Sequence, residues 1–372
     1  MSIYLDNAAA APCAPELLAF FTVCAAEFPG NQESAGYCGS QAAARIRTAA
    51  EELTVALGLA SFEPFFTNTG TEALAAAAEA LCRNARKREI VTTVLEHPAL
   101  ESALQRSCAR HGLQLLHCPA DRSGVRLDVL ESMLSDRTEA VALHHVQSET
   151  GGILDPAAVR AMIGRAAPDA ALLLDTMQSI GKLPLDAAAW RPDFLFLSGQ
   201  KLGAPGGAVL FSSKKYARTV KSLRSAEHFT GRCPVPVLLT AIRSGIRAAA
   251  EQPENHARAV LLKKLLQEEL GKRQLTFPAT LPDEAASPFI LHLLTAPYQG
   301  AILTRTLHQY QISAAPGSAC ESETRDGSRA LSAMGYPRRD CFCGLRLSFW
   351  KGNTPEEMAA FAEKLAECVR NY

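Results

Sequence analysis

The sequence lacks an excess of charge of either sign, because 38 lysines and arginines stand against 38 aspartates and glutamates. A chain without a basic field has little to attract nucleic acid, so we expect no nucleic-acid partner. It also lacks an apolar run long enough to cross a membrane, and its first residues lack the charged and apolar regions of a signal peptide. We therefore expect a cytoplasmic protein with no membrane partner.

The sequence also lacks the cysteine patterns that are typical of disulfide frameworks and zinc sites. The 11 cysteines are an odd number, they are scattered along the chain, and no two of them form a C-x-x-C pair. This spacing predicts neither a disulfide framework nor a zinc site, and we expect no bound metal. Apolar residues, in contrast, make up 48% of the 372 residues and can fill the core of one large domain and one smaller domain.

Apolar segments of strand length alternate with amphipathic segments of helix length as far as residue 233. The strand-like segments lie at residues 64–67, 89–95, 113–117, 140–145, 172–175, 194–197 and 208–211. This alternation predicts an α/β fold with a mostly parallel, doubly wound sheet. Long helices and two later strands follow and predict a smaller α+β domain. We expect the large domain to span residues 15–250 and the small domain to combine residues 1–14 with 251–372.

Polar loops follow four of the apolar strands, and in a parallel sheet such loops lie together at the carboxyl edge, where α/β folds bind ligands. These loops contain Gly70 and Thr71, His97, Asp175 and Gln178, and Ser198 and Lys201. An Asp and a Lys at the ends of two parallel strands suit pyridoxal phosphate (PLP). The carboxylate can partner the ring nitrogen, while the lysine can hold the aldehyde as a Schiff base.

The remaining loop residues have separate tasks in such a site. The helix start at Gly70 and Thr71, together with Ser198, can bind the phosphate. His97 can stack on the cofactor ring, and Gln178 can bond the ring oxygen. Taken singly, these features have ordinary explanations, namely a solvated loop lysine, a helix cap and a satisfied loop histidine. Taken together, they favour a PLP site.

Five motifs occur in order along the chain. They are Tyr-Leu-Asp-Asn-Ala-Ala at 4–9, Thr-Gly-Thr-Glu-Ala at 69–73, Glu-His at 96–97, Asp-Thr-Met-Gln-Ser-Ile-Gly-Lys at 175–182 and Ser-Gly-Gln-Lys at 198–201. In this order they resemble the motifs of cysteine desulfurases, which are class V aminotransferase relatives among the fold type I PLP enzymes. The Gly-Ser-Ala-Cys stretch at 317–320 resembles the catalytic-cysteine loop of the NifS/IscS-type branch. The resemblance covers nearly the whole chain.

The resemblance implies a homodimer that converts L-cysteine to L-alanine and moves the sulfur onto Cys320 as a persulfide. An acceptor protein would then take the sulfur, as in iron–sulfur cluster assembly or tRNA thiolation. Lys201 would remove the Cα proton, and His97 would shuttle protons to or from the substrate thiol. Arg346 would hold the substrate carboxylate, since a guanidinium binds it in a bidentate way. Asn7 and Asn31 are the other expected substrate contacts.

Several positions depart from the family pattern. Gln200 replaces the histidine that usually binds the phosphate, and Ser148 replaces an asparagine near the cofactor oxygen. The loop after Asn31 has lost its usual N-P-S-S-x-H sequence. Arg232 replaces the threonine of an R-S-G-T segment that reaches the phosphate site of the partner subunit in the family. We expect Gln200, Ser148 and Arg232 still to contact the cofactor, with substrate and rate more affected than cofactor binding.

Two other functions are compatible with the residues. One is a PLP-dependent C–S lyase that acts on cystine or selenocysteine, with Cys320 as a bystander. It would release sulfide or a small persulfide without modifying Cys320. The other is a non-catalytic scaffold of the same fold, which the substitutions Gln200 and Ser148 suggest. Visible absorbance of bound PLP in the purified protein would argue against the scaffold.

The first prediction concerns Lys201. The substitution Lys201→Ala should abolish covalent attachment of PLP and leave the fold intact, because a loop lysine at a strand end contributes little packing. Borohydride reduction followed by mass spectrometry of the intact protein measures the attachment. Cofactor that becomes irreversibly attached to the variant would contradict the assignment.

Overall fold

The computed structural model describes residues 2–223, 233–317 and 327–372. The predicted site residues Arg232 and Cys320 lie outside the described residues. Across these three ranges, no helix combines the length and the apolar character that a membrane span needs.

The described strands and helices follow the alternation expected from the sequence. The strands are β1 (Ile3–Tyr4), β2 (Glu63–Thr67), β3 (Glu89–Thr93), β4 (Gln114–Cys118), β5 (Ala120–Asp121), β6 (Gly124–Val125), β7 (Thr138–His144), β8 (Ala171–Asp175), β9 (Phe194–Ser198), β10 (Ala208–Ser212), β11 (Ile290–Leu294), β12 (Ile312–Ser313) and β13 (Gly344–Ser348). The helices are α1 (Pro15–Glu27), α2 (Tyr37–Ala56), α3 (Gly70–Arg83), α4 (Pro98–His111), α5 (Leu127–Met133), α6 (Pro156–Ala166), α7 (Ala187–Trp190), α8 (Lys214–Leu223), α9 (Val235–Ala250), α10 (Gln252–Lys272), α11 (Gly300–His308), α12 (Arg329–Ala333) and α13 (Pro355–Arg370).

A seven-stranded sheet forms the centre of the fold, with strand order β2-β10-β9-β8-β7-β3-β4. Neighbouring strands are parallel except at β10, which is antiparallel to both β2 and β9. The expected α/β fold with a mostly parallel sheet is therefore confirmed. Because β10 reverses direction between them, β2 points the same way as β9. The carboxyl ends of β2, β3, β8 and β9 consequently lie at one edge, as predicted.

Both faces of this sheet are covered, which explains why its central strands β8, β9 and β10 are apolar up to their last residue. Successive residues of β9 alternate between two cores, since side chains along a strand point to opposite faces. Phe194 and Phe196 pack with residues of α3, α4 and α8. Leu195 and Leu197 pack with residues of α2 and α9 on the other face. Polar groups can therefore collect only where the strands end.

The two ends of the chain form a second, smaller layer. Strands β11 and β13 pair in an antiparallel way, and β1 pairs with β12 in a parallel way. Ile3 and Leu5 share a hydrophobic cluster with residues of α10, α11 and α13. The division into domains at residues 14 and 250 stays a prediction.

Two element boundaries differ from the sequence interpretation. Helix α3 begins at Gly70 rather than at residue 73, because the Thr69 side chain accepts a hydrogen bond from the Glu72 amide at 3.2 Å and caps the helix earlier. Strand β3 ends at Thr93 rather than at residue 95. As a result, Gly70 and Thr71 lie in the first turn of α3, and a turn separates β3 from His97.

Helix α13 covers the strand that carries Arg346 and begins with a capping box. The Thr354 hydroxyl accepts from the Glu357 amide at 3.3 Å, and the Glu357 carboxylate accepts from the Thr354 amide at 3.1 Å. We expect Thr354→Ala to lower the free energy of unfolding by about 1 kcal/mol, the usual effect of losing such a cap. Urea denaturation measures it. Thr354→Ser keeps the oxygen and should stay close to wild type, so equal losses in both variants would contradict the capping role.

Candidate active site

Lys201 lies in a short 3-10 turn, Gly199–Leu202, directly after β9. The turn needs glycine at position 199, because a Cβ there would lie 2.3 Å from the carbonyl oxygen of Gly206. The Lys201 ammonium donates to the carbonyl oxygens of Ala8 and Ala9, the latter at 2.9 Å. The N-terminal segment therefore holds the lysine that the sequence predicts to be reactive.

Asp175 is the last residue of the neighbouring strand β8 and is buried. The Thr176 hydroxyl donates to the Phe196 carbonyl at 2.8 Å and accepts from the Phe196 amide at 2.9 Å. These two bonds extend the contact between β8 and β9 beyond the strand pairing and fix Asp175 relative to the Lys201 turn. Burial raises the pKa of Asp175 to about 6, and the charge of Lys201 acts in the opposite sense. The Asp175 carboxylate is thus protonated more easily than an ordinary aspartate.

His97 caps helix α4, and this role fixes its ring. Its Nδ1 accepts a hydrogen bond from the Ala99 amide at 3.1 Å. The ring proton of neutral His97 therefore lies on Nε2. Burial lowers the pKa of His97 to about 4, and the charges of Lys201 and Arg329 add to this effect. His97 is a neutral hydrogen-bond donor at pH 7, within electrostatic range of Lys201.

The predicted phosphate-binding residues lie at one helix start, at a strand end and in the turn that follows this strand. Gly70 and Thr71 form the first turn of α3, where amide groups have no partner within the helix. Ser198 is buried at the end of β9, whereas Gln200 is exposed on the following turn. A Cβ at Gly70 would lie 2.6 Å from the side chain of Met177, two residues after Asp175. The helix start therefore packs closely against the Asp175 loop.

Arg346, on β13, is almost fully buried and is held by two acceptors. One guanidinium nitrogen donates to the Asp6 carboxylate at 2.7 Å and another to the Ser148 carbonyl at 2.9 Å. Its Nε is buried and has no hydrogen-bond partner among the described residues. Ser148 thus contributes its backbone, and not its side chain, to the position of this guanidinium.

Asn7 lies beside Lys201 in a small cavity that Lys182 and Trp350 also line. Its Nδ2 donates to the Phe349 carbonyl at 2.6 Å. Its Oδ1 is buried and finds no donor in the described parts of the chain. An acceptor without a donor, in a residue that lines the same cavity as Lys201, is the kind of group that a polar ligand would satisfy.

Both ends of the Gln178 carboxamide are hydrogen-bonded. Its Nε2 donates to the Ala8 carbonyl at 2.8 Å, and its Oε1 accepts from the Lys182 ammonium at 3.1 Å. Because a backbone carbonyl can only accept, the Ala8 contact determines which end of the amide is the nitrogen. The second N–H of Gln178 is the donor that it can offer to a ligand. Burial lowers the pKa of Lys182 to about 7, helped by the charges of Lys201 and Arg346.

Within the described residues, the hydrogen bonds of Asn31 stay inside its own loop and do not reach the other site residues. Asn31 is exposed, and its side-chain oxygen accepts from the Glu33 amide at 3.0 Å within its own loop. Its predicted substrate contact stays a prediction. The predictions on Cys320 and Arg232 fall outside the described residues.

Four further residues at this edge of the sheet have contacts that sequence reasoning did not predict. Asp6 binds Arg346, Lys182 binds Gln178, and the buried carboxylate of Glu96 binds the ring of His144 at 2.8 Å. The only sequence signal for His144 is a polar residue at the end of an apolar strand. Asp6 and Lys182 stand inside the recognised motifs, but nothing in one sequence pairs them with partners 340 and 4 residues away.

The described residues match PLP group by group. Asp175 offers a carboxylate for the ring nitrogen, Lys201 an amine for the aldehyde, and His97 an imidazole for the ring face. The start of α3 suits the phosphate, since a helix N-terminus attracts anions. A mostly parallel sheet with Lys201 and Asp175 at its carboxyl edge is typical of the fold type I PLP enzymes.

Comparison with known proteins agrees with that class. The family model of class-V aminotransferases matches residues 3–229. A cysteine desulfurase of Trichormus azollae is 28% identical, over 99% of this chain and 92% of the relative. The cysteine desulfurase NifS of Azotobacter vinelandii is 29% identical, over 96% of this chain and 90% of the relative. The solved structure of a NifS-like protein aligns over the whole of both chains with a TM-score of 0.87 and 26% identity.

This chain therefore belongs to the aminotransferase class-V family, a family of PLP-dependent enzymes. The resemblance to cysteine desulfurases that the sequence motifs indicated is confirmed over nearly the full length of the chain.

We predict that His97 stays neutral at pH 7 with its proton on Nε2. An unfolded histidine has a pKa of about 6.5, so the unfolded chain binds this proton first as the pH falls. The contribution of His97 to the free energy of unfolding should therefore decline from about pH 6.5 down to about pH 4, its folded pKa. Nitrogen NMR of the labelled ring measures its charge, with His97→Gln as the assignment control. A ring that becomes charged near pH 6.5 would contradict the prediction.

Proposed function

We propose that this protein is a PLP-dependent cysteine desulfurase, which converts L-cysteine to L-alanine and transfers the sulfur to Cys320. The observation that carries the proposal is the position of Lys201 and Asp175 at the carboxyl ends of adjacent strands, with His97 within electrostatic range of Lys201. The cysteine desulfurases to which the chain is similar support the choice of substrate.

The residues that would hold PLP surround this edge of the sheet. Bound PLP supplies an electron-accepting ring that stabilises negative charge at the substrate Cα. Asp175 would hold the ring nitrogen, Lys201 the aldehyde carbon and the free N–H of Gln178 the ring oxygen. The phosphate contacts would come from Gly70, Thr71, Ser198, Gln200 and Arg232, with Ser148 near the ring.

Substrate recognition would rest on Arg346. Asp6 and the Ser148 carbonyl hold two guanidinium nitrogens of Arg346, and its remaining N–H groups would bind the carboxylate of L-cysteine. The Asn7 side-chain oxygen lies beside Lys201 and could accept from the substrate amine. Asn31 would complete the substrate contacts.

Two side chains of the site would move protons. Lys201, once its amine is free, would take the proton from the substrate Cα. Its Nζ is held by the Ala8 and Ala9 carbonyls, which keep the amine near the sheet edge. His97 would donate from Nε2 to the substrate sulfur, since its Nδ1 is occupied by the Ala99 amide.

Cys320 would perform the sulfur transfer. Its thiolate attacks the sulfur of L-cysteine, the substrate C–S bond breaks with its electron pair going to carbon, and a proton at that carbon completes L-alanine. The enzyme thiol becomes a persulfide, so every atom of the substrate is found in alanine or on Cys320. A sulfur-acceptor protein, such as an iron–sulfur scaffold or a tRNA-thiolation relay, would take the persulfide sulfur.

The proposal includes a cytoplasmic homodimer. The segment with Arg232 would reach the phosphate site of the other subunit, where a guanidinium would supply a charge-assisted hydrogen bond. Because salt screens exposed charges over about 10 Å, such an arginine would act on the phosphate only at close range.

The test of the proposed function is mass spectrometry after brief exposure to L-cysteine, with alanine assayed in parallel. We expect one added sulfur on the Cys320 peptide of the wild type. Cys320→Ala should bind PLP and L-cysteine but form neither persulfide nor alanine. Cys38→Ala, which removes an exposed thiol, is the matched control and should behave as wild type.

The outcome also separates the alternatives. Alanine or pyruvate formed at full rate by Cys320→Ala, with free sulfide released, would overturn the desulfurase proposal in favour of a C–S lyase. A wild type that does not bind PLP would overturn both and leave a non-catalytic scaffold.

A further inference from the structure

A buried ion pair lies at the carboxyl edge of the sheet, and the proposed reaction gives it no task. His144 Nδ1 is 2.8 Å from Glu96 Oε1, which also accepts from the Thr93 hydroxyl at 2.8 Å. Both side chains are almost fully buried, and the second oxygen of Glu96 has no hydrogen-bond partner within the described residues. A buried carboxylate of this kind requires a positive partner.

The order of the strands puts this pair next to Asp175. Strand β7, which ends at His144, lies between β3, which leads to Glu96, and β8, which ends at Asp175. His144 and Asp175 are directly paired residues of the two parallel strands, so their side chains leave the same face of the sheet. His144 therefore has an acidic side chain on each side.

Asp175 has few other means of keeping its charge. One of its oxygens accepts from the Met177 amide at 2.9 Å. The charged groups that act on it are Glu96 after β3, His144 on β7 and Lys201 after β9. Lys201 would be uncharged when it attacks an aldehyde or removes a proton, because only the free amine does so. His144 is then the remaining cation of the three groups.

We propose that His144, charged through its pair with Glu96, is a positioning residue that keeps Asp175 ionised to hold the cofactor ring nitrogen. The inference rests on the proposed PLP site and adds a residue to it. His144 does not touch the cofactor in this role and acts through Asp175.

The titration behaviour of the two groups agrees with this arrangement. Burial opposes the charge on His144, but the Glu96 carboxylate outweighs burial, so the pKa of His144 lies above its ordinary value, with Asp175 acting in the same sense. Burial raises the pKa of Asp175 to about 6, the charge of Glu96 adds to the rise, and the charges of His144 and Lys201 oppose it. His145, the next residue, has its pKa lowered to about 4 by burial and by the charge of His144.

The experiment follows PLP retention from pH 5 to pH 8 by absorbance and dialysis, so it does not depend on turnover. His144→Gln keeps a donor for Glu96 but removes the positive charge. The negative charge of Glu96 then acts on Asp175 without compensation, and the midpoint of retention should move up by about one pH unit. The double variant Glu96→Gln with His144→Gln removes both charges and should return the midpoint towards that of the wild type.

Two controls separate charge from structural damage. Glu96→Gln alone should not raise the pH midpoint of PLP retention. If the pair had only a structural role, each single variant would lose PLP to a similar extent. His145→Gln is the matched control, because His145 is the adjacent buried histidine and packs edge-on against Trp190 at 4.8 Å. It should retain PLP as the wild type does.

A wild-type midpoint in His144→Gln, or a double variant that is shifted as far as the single one, would overturn the inference. If His144→Gln does not fold, nitrogen NMR of the wild type decides. Two protonated ring nitrogens on His144 at pH 7 support the inference, and a neutral ring overturns it, with Glu96→Gln identifying the signal. A wild type that binds no PLP would overturn the proposed function, whereas the NMR result would still report the charge of His144.

Discussion

The constraint on which this structure depends is that its central strands are buried on both faces. Strands β8 and β9 bury every one of their residues, so no charged group can lie along them. Charges are admitted only where the strands end, and four strand ends meet at one edge. The result is a site with several largely buried ionisable groups, where each group changes the pKa of its neighbours. Burial is the main cause of the pKa shifts of Asp175, His97 and Lys182.

The N-terminal segment connects this edge to the second layer of the molecule. Within three residues it supplies Asp6 to Arg346, Asn7 to the Phe349 carbonyl, and the Ala8 carbonyl to Lys201. The same Ala8 carbonyl accepts from Gln178, which is bonded to Lys182. The side chains of Lys201 and Lys182 are therefore connected by hydrogen bonds through the Ala8 carbonyl and Gln178. The segment also pairs with the end of β13 through Asp6 and Ser348. A shift of this segment would therefore change the proposed cofactor and substrate contacts together.

The hydrogen-bond partners of His97 and His144 favour opposite charge states of the two rings. His97 accepts a backbone N–H, which suits a neutral ring, and it has the positive charges of Lys201 and Arg329 nearby. His144 faces a carboxylate, which suits a charged ring. Burial alone would make both neutral. The sheet thus places a neutral donor and a buried cation a few residues from the same strand ends, which permits separate roles in proton transfer and in holding Asp175.

The sequence by itself determined the α/β class and the mostly parallel sheet, because apolar periodicity is a local signal. Its ordered motifs also predicted Lys201, Asp175, His97 and Arg346 as site residues. It could not give the partners. Asp6 and Arg346 are 340 residues apart, and the acceptors of Lys201 are carbonyl groups that any residue carries. It also suggested Asn31, whose amide the fold uses in its own turn. Strand order, which inserts β7 between β3 and β8, was decided only by tertiary packing, and it alone brings His144 between Glu96 and Asp175.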